Sequence, residues 1–246
     1  MSRHLDTIFA LATAPGRAGV AVVRLSGAQS GIILKRITNR PLPPPRRAQL
    51  RQIIDIDKNE YFDTGLVLWF PEPASFTGEN VVELHVHGGR AVIDGILSLL
   101  AKQPNTRPAV AGEFTRRAFD NDRLDLTEAE GLADLLAAET AAQRRQALRQ
   151  LQGELGTLYE AWRAGLIGAL AHIEAHIDFS DEDLPENLIE KVRPRLISLI
   201  SEISAHLDDS HRGEILRRGL RLAIIGAPNV GKSSIINALS KREAAI

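Results

Sequence analysis

Nine consecutive residues, Gly226-Ala-Pro-Asn-Val-Gly-Lys-Ser-Ser234, carry the most explicit chemistry in the chain. Gly226, Gly231, Lys232 and Ser233 fit the GxxxxGK[ST] spacing, in which glycines let the backbone wrap closely and successive N–H groups point at phosphate oxygens. Lys232 is then placed to reach the β and γ phosphates, and the Ser233 hydroxyl to ligate magnesium. The apolar run before the loop, residues 220–225, predicts a buried strand. Ile235, Ile236 and Leu239 predict an amphipathic helix after it, whose N-terminus adds its dipole to the anion site. A glycine turn that binds nothing is the alternative, but such a turn has no need for a lysine followed by two serines. The loop does not distinguish ATP from GTP. An NKxD element to read guanine and a DxxG element for magnesium are expected beyond Ile246.

Three charged residues and two histidines stand in settings where chemistry is conceivable. Arg24 ends a strand-like run after a glycine-bearing loop, Glu83 lies on the polar face of another, and Arg123 sits in Phe119-Asp-Asn-Asp-Arg-Leu-Asp125. Taken alone, each reads as an ordinary surface charge. His85-Val-His87 puts two imidazoles on one strand face, a spacing that can bind a metal, but no third ligand is evident. Gly88-Gly89 directly after fits close approach to a planar group or another chain. Arg46, Arg47 and Arg51 are the best local basic patch of the N-terminal half, read as a solvated strand edge with RNA contact as the alternative.

The elements that must position these residues fall into two textures. Residues 1 to about 120 read as a mixed α/β domain, with strands expected at 6–13, 19–25, 49–57, 64–70 and 81–87. Ser26-Gly27 is expected to cap a short helix to about Ile37, Pro41-Leu-Pro-Pro-Pro45 is a stiff extended linker, and Val92, Ile93, Ile96, Leu99 and Leu100 mark a second helix. From about Leu126 long helices take over. Thr127-Glu-Ala-Glu130 reads as a capping box, and the helical pattern runs through Leu170 and Ile173 with a possible break at Gly153 or Gly156. After the acidic loop 178–183, Pro185 can start a helix with Leu196, Ile200, Ile203 and Leu207 inward.

Composition sets outer bounds. The 246 residues, 44% of them hydrophobic, suffice for one large or two to three small domains with real cores. A formal net charge of −1 makes no whole-chain case for nucleic acid or membrane, so any such partner is held by a local patch. The absence of cysteine excludes disulfides, thiolate zinc sites and cysteine nucleophiles within the chain, and fits a reducing cytosol. Arg3 before the short apolar run 8–14 mimics a signal peptide, but Asp6 and Pro15-Gly16 favour a first strand. No uncharged apolar run approaches the roughly 20 residues of a membrane span.

A resemblance then becomes specific. Ala14-Pro-Gly-Arg17, Val23-Arg-Leu-Ser-Gly27, Leu68-Trp-Phe-Pro71, Ser75-Phe-Thr-Gly-Glu79, His87-Gly-Gly89, Gly112-Glu-Phe-Thr115, Ala118-Phe119, Asn121-Asp-Arg-Leu-Asp125 and the loop 226–234 occur in an order that resembles the tRNA-modification GTPase MnmE (TrmE) family. The likeness covers essentially the whole chain, which looks like an N-terminal fragment ending just after the phosphate-loop helix. It implies a cytoplasmic GTPase that works with the FAD-containing partner MnmG, as a heterotetramer, to add a carboxymethylaminomethyl group at carbon 5 of the wobble uridine of certain tRNAs. It also implies an N-terminal domain that binds 5-formyl- or 5,10-methylene-tetrahydrofolate and makes a homodimer.

By the same resemblance Arg24, Glu83 and Arg123 contact the folate, and Asn229, Val230, Gly231, Lys232, Ser233 and Ser234 contact GTP. Asn229 would also ligate K+ and Ser233 Mg2+. Those types suit the task, since a pterin edge pairs with a carboxylate and a glutamate tail attracts cations. The expected fold is an α/β folate-binding domain (1–120), an incomplete α-helical domain (121–217) and the first βα unit of a P-loop GTPase domain (218–246). The rival readings are a non-catalytic folate-binding dimer scaffold and a ribosome-assembly GTPase sharing the loop.

Overall fold

Apolar and polar residues alternate along Val82 to Val86, and burial alternates along Ala21 to Leu25, and that period of two produces a sheet with one face buried. The structure, a computed structural model, describes residues 6–178, 188–208, 213, 223–227 and 230–240. Its elements are β1 (Thr7–Leu11), β2 (Ala18–Ser26), α1 (Ser30–Thr38), β3 (Gln49–Asp55), β4 (Glu60–Phe70), β5 (Val81–Gly88), α2 (Arg90–Ala101), β6 (Thr106–Pro108), α3 (Glu113–Asp120), α4 (Leu126–Ala137), α5 (Ala141–Leu151), α6 (Glu154–Asp178), α7 (Leu188–Leu207) and α8 (Lys232–Ser240). They divide into two compact units, residues 1–132 with 150–156, and residues 133–149 with 157–246.

In the first unit six strands form one sheet in the order β3-β4-β5-β2-β1-β6, antiparallel except for the β1–β6 pair. Ile33, Leu34 and Ile37 of α1 and Ile93, Ile96, Leu99 and Leu100 of α2 pack against Phe9, Val23, Leu25, Val67, Leu84 and Val86 to make the core. The mixed α/β expectation therefore holds. Two elements went unforeseen: β6, only three residues long, and α3, whose inward residues include Glu113 and Arg117.

Ser26-Gly27 does not cap α1, which begins at Ser30 after an N-cap Gln29 that lends no side-chain bond. Ser26 is the last residue of β2, and its hydroxyl is 2.7 Å from that of Thr77 and 2.6 Å from Glu79 Oε2. The cap of α4 also lies two residues earlier than expected. Asp125 Oδ1 accepts from Glu128 N at 2.7 Å while Glu128 Oε2 accepts from Asp125 N at 2.8 Å, a reciprocal box that leaves Thr127 bonded to Asp125.

The second unit is helical. The long helical pattern breaks at 138–140, where Thr140 Oγ1 receives Gln143 N at 3.1 Å and caps α5. It breaks again at Gly153, whose φ of 81° suits glycine and which lies in the stretch 150–156 that belongs to the first unit. Along α7 the buried positions are Val192 and Leu199, with Leu196 and Ile203 half-buried. Ile200 and Leu207, expected inward, are 64% and 75% exposed, because the packed line follows a spacing of four, three and four residues from Val192. Pro185 lies outside the described residues. Of the predicted strand 220–225, residues 220–222 also lie outside, and 223–226 are irregular with Ile225 93% exposed. A phosphate-loop strand is buried only between parallel neighbours, and among the described residues no strand lies beside it. Among the described residues no helix is long and apolar enough to cross a membrane.

Candidate ligand site on the sheet face

The face of the sheet opposite the core carries the charges. Registration across β4, β5, β2 and β1 aligns Leu68, Glu83, Arg24 and Ala10 in one row, so two residues 59 positions apart in sequence become cross-strand neighbours. Arg24 Nε and Nη2 both donate to Glu83 Oε1, at 3.0 and 2.8 Å. The other carboxylate oxygen, Oε2, lies 3.2 Å from His85 Nε2. Side-chain exposures of 27% for Arg24, 18% for Glu83 and 31% for His85 put this triad in a half-buried setting, where charge is screened less than on open surface.

Two aromatic rings border it. The Arg24 guanidinium carbon is 5.4 Å from the ring centre of Phe76, on the β4–β5 loop, and 5.7 Å from that of Phe114, on α3. Both distances lie within cation–π reach. Arg123 is exposed and does not join the ion pair directly. Its stem lies along the same loop, so that a Cβ at Gly78 would be 3.1 Å from Arg123 Cγ, and Gly78 has a φ of 77°. The positive φ favours glycine there, and a Cβ would crowd the Arg123 stem. Asn121 Nδ2 donates to Thr77 O at 2.8 Å and fixes the loop to the segment that bears Arg123.

Helix α3 also anchors a partly buried charge network that the sequence did not announce. Arg117, fully buried, donates to Asp6, Glu79 and Glu113, while Arg107 bonds both oxygens of Glu113 at 2.6 and 2.8 Å and Asp6 Oδ2 at 2.5 Å. The Arg107 hydrogen bonds, outweighing burial and helped by Val110 N–H and Arg117, bring the Glu113 carboxyl down to about 2. Burial works against ionisation of Asp6, yet the two arginines hold its carboxyl below the ordinary value. Glu79 also accepts from Ser26, two residues along β2 from Arg24.

The histidine pair of β5 divides between two carboxylates. His85 meets Glu83, whereas the His87 backbone N–H and Nδ1 each lie 2.8 Å from an oxygen of Asp63. Burial pushes the Asp63 carboxyl up, but these contacts with His87 and the Thr64 N–H leave it below its usual range. No group of three or more His, Cys, Asp or Glu side chains is arranged for a metal among the described residues. In the basic cluster, Arg46 donates to Ala74 O, and Arg51 to Pro41 O at 2.5 Å and Gln49 Oε1 at 2.6 Å, so both are engaged by the protein itself.

The glycine-lysine-serine loop belongs to the second unit. Gly231 has a φ of 94°, Lys232 opens α8, and Ile235 N bonds Gly231 O at 3.1 Å as the helix begins. Lys232 Nζ folds back to Ala227 O at 2.5 Å. Val230 and Ser234 are exposed and Ser233 is half-buried. Asn229, the expected potassium ligand, lies outside the described residues.

Phe76 and Phe114 are the residues that sequence reasoning left without a binding role, and His85, weighed there only as a metal ligand, meets Glu83 instead. The first two stood in motifs already singled out, Ser75-Phe-Thr-Gly-Glu79 and Gly112-Glu-Phe-Thr115. What was missing was the register that brings those segments to Arg24.

A mixed sheet with a polar, aromatic-bordered face, followed by a helical unit that holds a glycine-lysine-serine loop, defines the class of protein. Comparison with known families narrows it. Residues 7–123 match the family described as "GTP-binding protein TrmE N-terminus" and residues 126–245 match "MnmE helical domain". The tRNA modification GTPase MnmE of Parvibaculum lavamentivorans is 58% identical over 242 residues, 98% of this chain and 55% of that protein. That of Rhodospirillum rubrum is 56% identical over 254 residues, 98% of this chain and 56% of that protein. The human mitochondrial 5-taurinomethyluridine-[tRNA] synthase subunit GTPB3 is 53% identical over 242 residues, 98% of this chain and 49% of that protein. The chain belongs to the MnmE (TrmE) family. It spans about half the length of the curated relatives it matches.

Proposed function

We propose that this chain is the folate-binding and helical part of a GTPase that modifies tRNA. The observation that carries the reading is the Arg24–Glu83 pair between Phe76 and Phe114, on a domain that matches the family's N-terminus. The donor set fits a reduced folate: Glu83 can accept two N–H groups from an amide-like ring edge, the phenyl rings offer faces for a flat heterocycle, and Arg24 and Arg123 offer charge to a carboxylate tail. A bound 5-formyl- or 5,10-methylene-tetrahydrofolate supplies the one-carbon unit. A homodimer forms through this domain.

In the same reading the domains are 1–120, 121–217 and 218–246, the last being the opening βα unit of a GTPase. Gly231, Lys232 and Ser233, with Asn229, Val230 and Ser234, hold GTP, with Mg2+ at Ser233 and K+ at Asn229. Hydrolysis is coupled, in the cytoplasm and with a FAD-containing MnmG partner, to adding a carboxymethylaminomethyl group at carbon 5 of the wobble uridine in certain tRNAs. The names of these relatives support tRNA modification and GTPase activity.

Isothermal titration of the chain with tetrahydrofolate tests the site, and saturable binding is expected. Heat indistinguishable from dilution at millimolar ligand would reject it. For the loop, a version extended to the length of the relatives should hydrolyse GTP faster in potassium than in sodium, and indifference to the cation would remove the role given to Asn229.

A further inference from the structure

A carboxylate that reads a ligand edge must offer its oxygens to the ligand, and both oxygens of Glu83 are already engaged in the free chain. Oε1 is taken by two N–H groups of Arg24, at 3.0 and 2.8 Å, and Oε2 by His85 at 3.2 Å. The guanidinium is also seated where a flat ring belongs, 5.4 Å from one phenyl centre and 5.7 Å from the other. It is planar, delocalised and presents adjacent N–H donors to a carboxylate. The 2-amino, N3–H edge of a reduced pterin is a ring-bound guanidine with the same two adjacent donors.

We infer that Arg24 is a built-in surrogate for the ligand ring: in the free chain its guanidinium holds the seat between Phe76, Phe114 and Glu83, and binding exchanges it, together with His85, for the edge of the heterocycle. This rests on the folate reading and specifies how that site is filled.

Arg24 then has two opposed effects. It competes with the head of the ligand, because every ring bound must first break the pair with Glu83. Once displaced, it is a cation beside the site and favours a ligand that carries carboxylates. A folate meets both effects, whereas a pterin without its benzoyl-glutamate tail meets only the competition. The site therefore discriminates against the tail-less ring by means of a residue that never needs to touch it.

The experiment is calorimetric titration of the 246-residue chain and its Arg24→Met variant with two probes, 6-methyltetrahydropterin and tetrahydrofolate. Methionine keeps an apolar stem against the two rings and removes the fork. The variant should bind the tail-less pterin at least about fivefold more tightly than the unaltered chain, while tetrahydrofolate gains less or weakens. Arg24→Lys, which keeps the charge but not the planar donors, should shift the pterin in the same direction and serves where Arg24→Met does not fold by near-ultraviolet circular dichroism. If tetrahydrofolate binds the unaltered chain but the pterin binds the variants no more tightly, the surrogate role is overturned and the folate reading stands. If neither probe binds the chain or either variant, the folate reading itself falls and the surrogate with it.

Discussion

Glu83 illustrates how a single carboxylate can be both a strut and a reader. In the free chain it neutralises Arg24 across the β2–β5 ladder, and in the proposed complex it accepts the ring edge. Glu83→Gln keeps the shape but replaces one acceptor oxygen with a donor. The expected result is a loss of about 1.5–3 kcal/mol in tetrahydrofolate affinity, a factor of ten or more, measured by calorimetry. Unchanged affinity would place the ring elsewhere.

Glu113 gives a second residue-scale test, through pH. Its carboxyl is lowered from 4.5 to about 2, first by the Arg107 hydrogen bonds. A depressed folded value means stabilisation that is fully present above pH 4.5 and lost as pH falls through about 2. The contribution is on the order of 2–3 kcal/mol. Glu113→Gln should therefore melt lower at neutral pH and lose less further stability than the unaltered chain between pH 4.5 and 2, read by denaturant titration at each pH.

Among elements, those whose inward residues are apolar were legible and those whose inward residues are charged were not. β2, β5, α1 and α2 show their periods openly, and their expected extents fall within a few residues of those observed. Helix α3 reads Glu-Phe-Thr-Arg-Arg-Ala-Phe-Asp and hides its period, because Glu113 and Arg117 are buried by pairing with Asp6, Glu79 and Arg107 rather than by hydrophobicity. The same limit governs the site. Arg24, Glu83 and Arg123 could be named only through a family resemblance, since no local pattern reveals that Glu83 lies across from Arg24. Helix α7 fails for a different reason: its apolar residues outnumber its buried positions, so composition alone cannot choose the packed line. The structure chooses Leu199, 9% exposed and facing Gly165 of α6, over Ile200. Leu199→Ala should cost the helical unit about 2–3 kcal/mol, whereas Ile200→Ala should change it by less than about 0.5 kcal/mol, by denaturant unfolding followed at Trp162. Equal costs would mean that the two positions share one environment.

At the scale of the whole molecule the open face of the sheet sets the last problem. Leu50 and Leu66 are cross-strand partners and remain 68% and 43% exposed, and Leu66 is itself paired with His85, next to the ligand triad. Val20 on β2 is 57% exposed. Single exposed leucines need no explanation, but two paired ones on a sheet face beside the proposed ligand site are the kind of surface that a second copy covers. A two-fold partner would use the same face of both chains and would remove water from the neighbourhood of Arg24 and Glu83, which strengthens their electrostatics. The chain at about 100 µM should then scatter light as a species of twice 26.9 kDa, consistent with an interface above roughly 1,000 Å². Leu50→Glu with Leu66→Glu should convert it to the monomer without unfolding, because both side chains are already solvated in the single chain. The same double variant should bind tetrahydrofolate more weakly if the second copy completes the site. A monomeric unaltered chain at that concentration would reject the dimer, and a variant that stays dimeric would move the interface to another face.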